Sequence, residues 1–227
     1  MADQYHIDLN QFTLAQLREI VESGDLLPSR QILAEKVPER FAILESMGIT
    51  NLQELITALS TKKKVERFAQ ESGLPLDYLT ILRRQAGSYV PGPVYFKDIP
   101  GLDPDHVERL ASAGIKQTRQ LFERAKNSAE RADLSEQTGI PADVLLELVK
   151  LTDLARAGWV GPVFARIIYE TGVDSVSKLA EQRPEVLFEK ALAVNREQQL
   201  TRASFTLKDV EACIETAKSL PKVIEYY

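Results

Sequence analysis

Apolar residues recur along most of this chain at steps of three and four, the spacing that lays one stripe along a helix. Three stretches do so in one shared register: residues 38–55, 104–121 and 162–179. Each opens on a proline and carries a glycine ten residues on, as Pro38/Gly48, Pro104/Gly114 and Pro162/Gly172. Matched apolar positions follow: Phe41/Val107/Ala165, Leu44/Leu110/Ile168, Ile49/Ile115/Val173 and Leu55/Leu121/Leu179. Proline is tolerated at a helix start, because the N–H it lacks would have no partner there. Glycine ends the helix by taking the left-handed conformation at the C-terminal cap. Beyond it, Asn51 and Ser175 are good N-caps for a second helix, whereas Gln117 is a poor one, which moves that start to Thr118. A helix, a tight turn and a second helix are thus predicted three times.

The first two copies match further, at a constant offset of 66 residues. Gly73-Leu-Pro and Gly139-Ile-Pro each end one helix and open another, with Asp77 and Asp143 in the first turn, where a carboxylate meets the positive end of the helix dipole. The third copy has a related end, Thr206 to Val210, after extra loop placed within residues 195–203. Ahead of the first copy, Thr13 and Gln16 have capping-box spacing for a helix ending at Gly24. A second short helix over residues 28–36 completes a terminal capping element. Residues 88–100, with Pro91-Gly92-Pro93, read as an extended linker. The expected fold is all-α: tandem repeats in two helical domains, residues 1–87 and 101–227, joined by that linker.

Composition changes this picture little. The 227 residues are 44% hydrophobic and 27% charged, ordinary for a globular protein. A polar, acidic start and the lack of any apolar run of about 18 residues argue against a signal peptide or a membrane span, so a cytoplasmic location is expected. The single cysteine, Cys213, falls on an apolar helical stripe and reads as a buried small hydrophobe. Net charge is −5, which weighs against a dedicated nucleic-acid binder. One segment runs the other way: residues 60–97 hold 7 basic and 3 acidic side chains, including Lys62, Lys63, Lys64 and Arg67.

The middle copy, Ile99-Pro100-Gly101-Leu102-Asp103-Pro104 through Gly114-Ile115, resembles the helix-hairpin-helix module, and Trp159-Val160-Gly161-Pro162 carries the other half of the same hairpin. Taken whole, residues 37–220 are similar to uncharacterised bacterial proteins built of tandem helix-hairpin-helix-like domains of unknown function. In nucleic-acid-binding members of that module, hairpin glycines let backbone N–H groups at a helix start hold a phosphate oxygen. Here Asp103 replaces the second glycine of the middle copy and Trp159 the first glycine of the third, while Glu35 and Val37 replace both in the first. The resemblance implies that only the turn at Gly161, with Arg166 one helical turn on, keeps an anion-facing geometry.

The lysine run has two readings, a grip on a nucleic-acid backbone or the solvated start of the helix carrying Val65 and Phe68. Tyr89, Tyr95 and Phe96 could stack on bases or pin the linker to neighbouring helices. The tail 221–227 is either frayed or docked. His6 and His106 have no metal-ligand spacing to other ligands, and no nucleotide loop or nucleophile elbow is present. No cofactor, metal or small-molecule substrate is expected. The favoured function is a non-enzymatic binding or scaffold role, with a protein partner or self-association. The alternative is nucleic-acid binding through Gly161, Arg166, Lys62, Lys63, Lys64 and Arg67.

Overall fold

The computed structural model describes residues 4–24 and 26–226. Among them the regular structure is thirteen α-helices and two 3-10 helices, with no strand and two isolated β-bridges. The chain divides into two compact units, Met1–Val90 and Pro91–Tyr227.

In unit one, the Thr13 hydroxyl accepts from the Gln16 N–H while the Gln16 carboxamide accepts from the Thr13 N–H, and this reciprocal cap starts α1 (Leu14–Glu22). Helix α1 buries Leu14, Leu17 and Val21 and packs on α2 (Val37–Ser46). Between them lies a 3-10 helix (Pro28–Ala34) where the pattern predicted a short α-helix to residue 36. Lys36 takes the left-handed conformation (φ 49°) and breaks the run before α2 begins. Gly48 (φ 83°) then stops α2, and the Ile49 N–H reaches back to the Leu44 carbonyl at 3.1 Å. Asn51 caps α3 (Leu52–Ala58), Thr61 caps α4 (Lys62–Ser72), and α5 (Leu76–Gly87) opens after Pro75. Leu33, Phe41, Leu44, Leu55, Leu79 and Leu82 form the core.

Unit two contains the second 3-10 helix (Phe96–Asp98), α6 (Pro104–Ser112), α7 (Thr118–Phe122), α8 (Ser128–Thr138) and α9 (Ala142–Leu154). It continues with α10 (Pro162–Glu170), α11 (Val176–Ala180), α12 (Pro184–Gln198) and α13 (Leu207–Lys218). Gly114 (φ 83°) ends α6, and the Ile115 N–H bonds the Leu110 carbonyl at 2.8 Å, the same closure as in α2. Helix α7 starts at Thr118 with Gln117 itself at the N-cap, the register of Asn51 and Ser175, so the start is not displaced; the Gln120 side chain accepts from the N–H groups of Lys116 and Gln117. Helix α9 is buried against α7, α8 and α10, and α13 packs on α11 and α12.

Two expectations are refined. Past Pro93 the extended linker is pinned to unit two, the packing alternative given for its aromatics. The Val94 N–H donates to the Thr118 hydroxyl at 3.0 Å, the Phe96 N–H to the Lys116 carbonyl at 3.1 Å, and Val94, Phe96 and Ile99 are buried. Three apolar side chains in so short a piece gain more from burial than from extension. The extra length of the third copy, in turn, lengthens α12 to Gln198, and only the remainder is loop. There the Asn195 side chain, bonded to the Thr201 backbone, folds the loop back on the helix end.

Candidate functional site

The residues singled out for phosphate contact divide between the two units, Gly161 and Arg166 in unit two and the lysine run in unit one. Gly161 caps α10 in extended backbone (φ −81°, ψ −179°), and a Cβ there would meet nothing within 4 Å, so neither angle nor space requires glycine. The left-handed residue of that turn is Trp159 (φ 71°), the counterpart of Gly101 (φ 78°) before α6. Arg166 is 5% exposed and turned inward. Its Nε donates to the Pro100 carbonyl at 2.9 Å, and its Nη1 pairs with Glu147 at 2.7 Å and Glu170 at 3.1 Å. It ties α9 and α10 to the turn before α6. A phosphate approaching it would meet two carboxylates, so the expected anion-facing turn at Gly161 and Arg166 is not formed.

Lys62, Lys63, Lys64 and Arg67 belong to unit one, on the exposed face of α4. Lys62 and Arg67 lie 3.9 and 3.8 Å from Glu66 and Glu71, at i,i+4 spacing, and Lys64 Nζ donates to the Thr57 carbonyl at 3.0 Å. These are contacts of a solvated helix start. Of the three linker aromatics, Phe96 is core, Tyr89 packs on Phe12 at 4.9 Å between ring centroids, and Tyr95 is 44% exposed. Cys213 is fully buried, and burial pushes its thiol up to about 12.

One buried ionic cluster had no local signature. Asp153, near the end of α9, pairs with Arg156, and both are almost wholly buried. The second Asp153 oxygen accepts from the Val176 N–H at 2.8 Å and from the Tyr226 hydroxyl at 2.5 Å. Arg156 donates to the Pro221 carbonyl at 2.7 Å and lies over the Phe122 ring at 4.7 Å. The tail is therefore docked, with the Glu225 N–H on the Lys126 carbonyl at 2.8 Å as well. Burial, then the Asp153 carboxylate, raises the Tyr226 phenol far above its usual range. Both side chains are almost wholly buried and between them bond Val176, Pro221 and Tyr226, so the cluster fastens the tail.

Unit two carries a groove of about 370 Å³ along α6. Phe96 and Ile99, both buried, make its floor; Leu102, Val107 and Ala111, all half-buried, make its walls. Tyr95, Lys97, Pro104, Glu108 and Lys116 stand exposed at the rim. The 3-10 helix aims Phe96 inward and Lys97 outward, and the bridge between Tyr95 and Gln117 holds Lys116 beside that turn. Lys97 Nζ lies 5.5 Å from the Tyr95 ring centre, and neither Lys97 nor Lys116 has an ion-pair partner among the described residues. An apolar trough with a rim of net positive charge can hold apolar side chains flanked by carboxylates.

No helix is long and apolar enough to cross a membrane among the described residues. The model of the family described as Domain of unknown function (DUF4332) matches residues 100–220, more than half of the chain and most of the groove, so the chain belongs to that family. No curated protein and no solved structure matches it.

Proposed function

Starting from membership of the DUF4332 family, we propose that the chain is a non-enzymatic binding module. Tandem units of helix-hairpin-helix type supply the scaffold, and unit two presents its α6 groove to a protein partner. The observation that carries this reading is the groove itself: a trough with apolar walls open to solvent, and two lysines at its rim that have no ion-pair partner among the described residues. Exposed concavities of this kind mark places where another chain buries apolar surface. Nucleic-acid binding loses its main support, because Arg166 is spent on Glu147, Glu170 and Pro100 inside the fold.

The test is differential capture. The full chain and its Ala111→Trp variant, which fills the groove, are immobilised side by side and offered the same soluble extract. A protein retained by the wild type and lost from the variant is the expected outcome, with circular dichroism matching between the two chains. Equal retention by both, or by neither, refutes the reading.

A further inference from the structure

We propose that the C-terminal segment, residues 221–226, is a releasable strap over the buried Asp153–Arg156 pair, latched by the Tyr226 hydroxyl. The strap lies in unit two and is independent of the α6 groove.

The three repeated copies differ at one place. The residue that follows each second-helix cap is Leu52, Thr118 and Val176, in one register. In the first copy the Leu52 N–H donates to the Phe12 carbonyl at 2.9 Å, and the Leu14 N–H donates to the Thr50 carbonyl at 2.8 Å. The second copy repeats both bonds, from the Thr118 N–H to the Val94 carbonyl at 2.9 Å and from the Phe96 N–H to the Lys116 carbonyl at 3.1 Å. An extended segment from earlier in the chain thus bridges each of these helix starts. Leu14, Val94 and Phe96 of those segments are buried, so both bridges are anchored in a core.

The third copy has no such bridge among the described residues. Its Val176 N–H donates instead to a side chain, the second Asp153 oxygen, at 2.8 Å. The tail closes over that oxygen through the Tyr226 hydroxyl, and holds on further through the Pro221 carbonyl and the Glu225 N–H. None of residues 221–226 is buried: Lys222 and Glu225 are exposed, and Pro221, Val223, Ile224 and Tyr226 are half-buried. Polar bonds at three points therefore hold this segment, with no side chain sunk in the core.

The site beneath is complete without the strap. When the tail lifts, Asp153 keeps Arg156 and the Val176 N–H, and Arg156 keeps Asp153 and the face of the Phe122 ring. Lifting strands no unpaired charge, the main cost of opening a buried ionic site. A segment with little apolar burial, laid over a self-sufficient site, opens by local fluctuation while the rest of the unit stays folded. Unit two thus alternates between a covered and an uncovered Asp153–Arg156 pair.

Residue-resolved hydrogen exchange on the full chain, at several denaturant concentrations below the unfolding transition, tests this. The Glu225 N–H reports the strap, the Val176 N–H the site beneath it and the Leu151 N–H the core of α9. Glu225 is expected to exchange about a hundredfold faster than Leu151, at a rate that denaturant leaves unchanged. Tyr226→Phe removes one bond to a carboxylate and is expected to speed Glu225 about tenfold, while Val176 and Leu151 stay within about twofold. Glu225 following Leu151 in rate and denaturant dependence makes the tail part of the core and overturns the strap. Exchange of Glu225 at the rate of an unstructured amide means an undocked tail and overturns it as well. A Glu225 rate that Tyr226→Phe leaves unchanged removes the latch. Faster exchange of Val176 or Leu151 in that variant makes the tail a support of the site, and the proposal falls.

Discussion

Phe41 in α2 is 1% exposed beneath α1, while 66 residues on, Val107 in α6 stands half-buried at the wall of a groove. Both helices carry a proline in their first turn, stop at a left-handed glycine and close with the same backbone bond. Elsewhere on the same two helices the contrast continues. Arg40 is buried, lies 4.3 Å from the centre of the Tyr78 ring and donates to the Ile32 carbonyl at 2.9 Å. Its counterpart His106 is half-buried, and Val144 stands where Tyr78 does. The same helix boundaries therefore carry two different burdens. Punctuation residues act on their own backbone, whereas a helix face depends on what is laid against it.

The strongest way to break this contrast is truncation. Phe41→Ala opens a cavity in a sealed core and is expected to cost unit one about 3–5 kcal/mol. Val107→Ala removes a side chain already half in water and is expected to cost unit two about 1 kcal/mol. Hydrogen exchange followed peptide by peptide reports each unit separately. Equal losses would mean that the groove is closed in solution.

Next in size is an alkaline titration. Burial pushes the Tyr78 phenol up to about 12 from 10.0, opposed in part by the Arg40 charge. The folded value lies above the unfolded one, so this contribution is complete below pH 10 and is lost as pH rises from about 10 to about 12, amounting to about 2–3 kcal/mol. Tyr78→Phe is expected to remove that loss from unit one's denaturant midpoints across the window. A slope left unchanged by the substitution would show that Tyr78 does not carry it.

The smallest effect sharpens what the two regions share. Gly48→Ala and Gly114→Ala each force a Cβ into a left-handed backbone at φ 83° with open space around it, so the cost is conformational. About 1–2 kcal/mol is expected at each, and equal within error in denaturant unfolding. A large difference would mean that the two turns are not mechanically alike.

Much of the helix plan was legible because its signals are local. Pro104, Gly114, Asn51, Thr13 with Gln16, and Gly73 with Gly139 act on backbone within one turn of themselves, and each does so where expected. The residues before the prolines misled. Gly161 and Arg166 have the right spacing for an anion site, yet Arg166 is claimed by Glu147 and by the Pro100 carbonyl, 19 and 66 residues away. Asp153 and Arg156 look like ordinary surface charges until Val176, Pro221 and Tyr226 are folded onto them. Lys97 and Lys116, which frame the groove, drew no notice beside the louder run at Lys62.

The sequence by itself determined an all-helical chain, the starts and stops of its repeated helices, and the apolar side each turns to its own core. These follow from backbone sterics, caps and the helical period, none of which needs a distant partner. Only the tertiary structure decided which charges are spent internally and which face stays uncovered. Those depend on neighbours brought in from far along the chain. Between α2 and α6, the difference lies in the element bridged to the following helix start: a full α-helix, Leu14–Glu22, in unit one and a single 3-10 turn, Phe96–Asp98, in unit two.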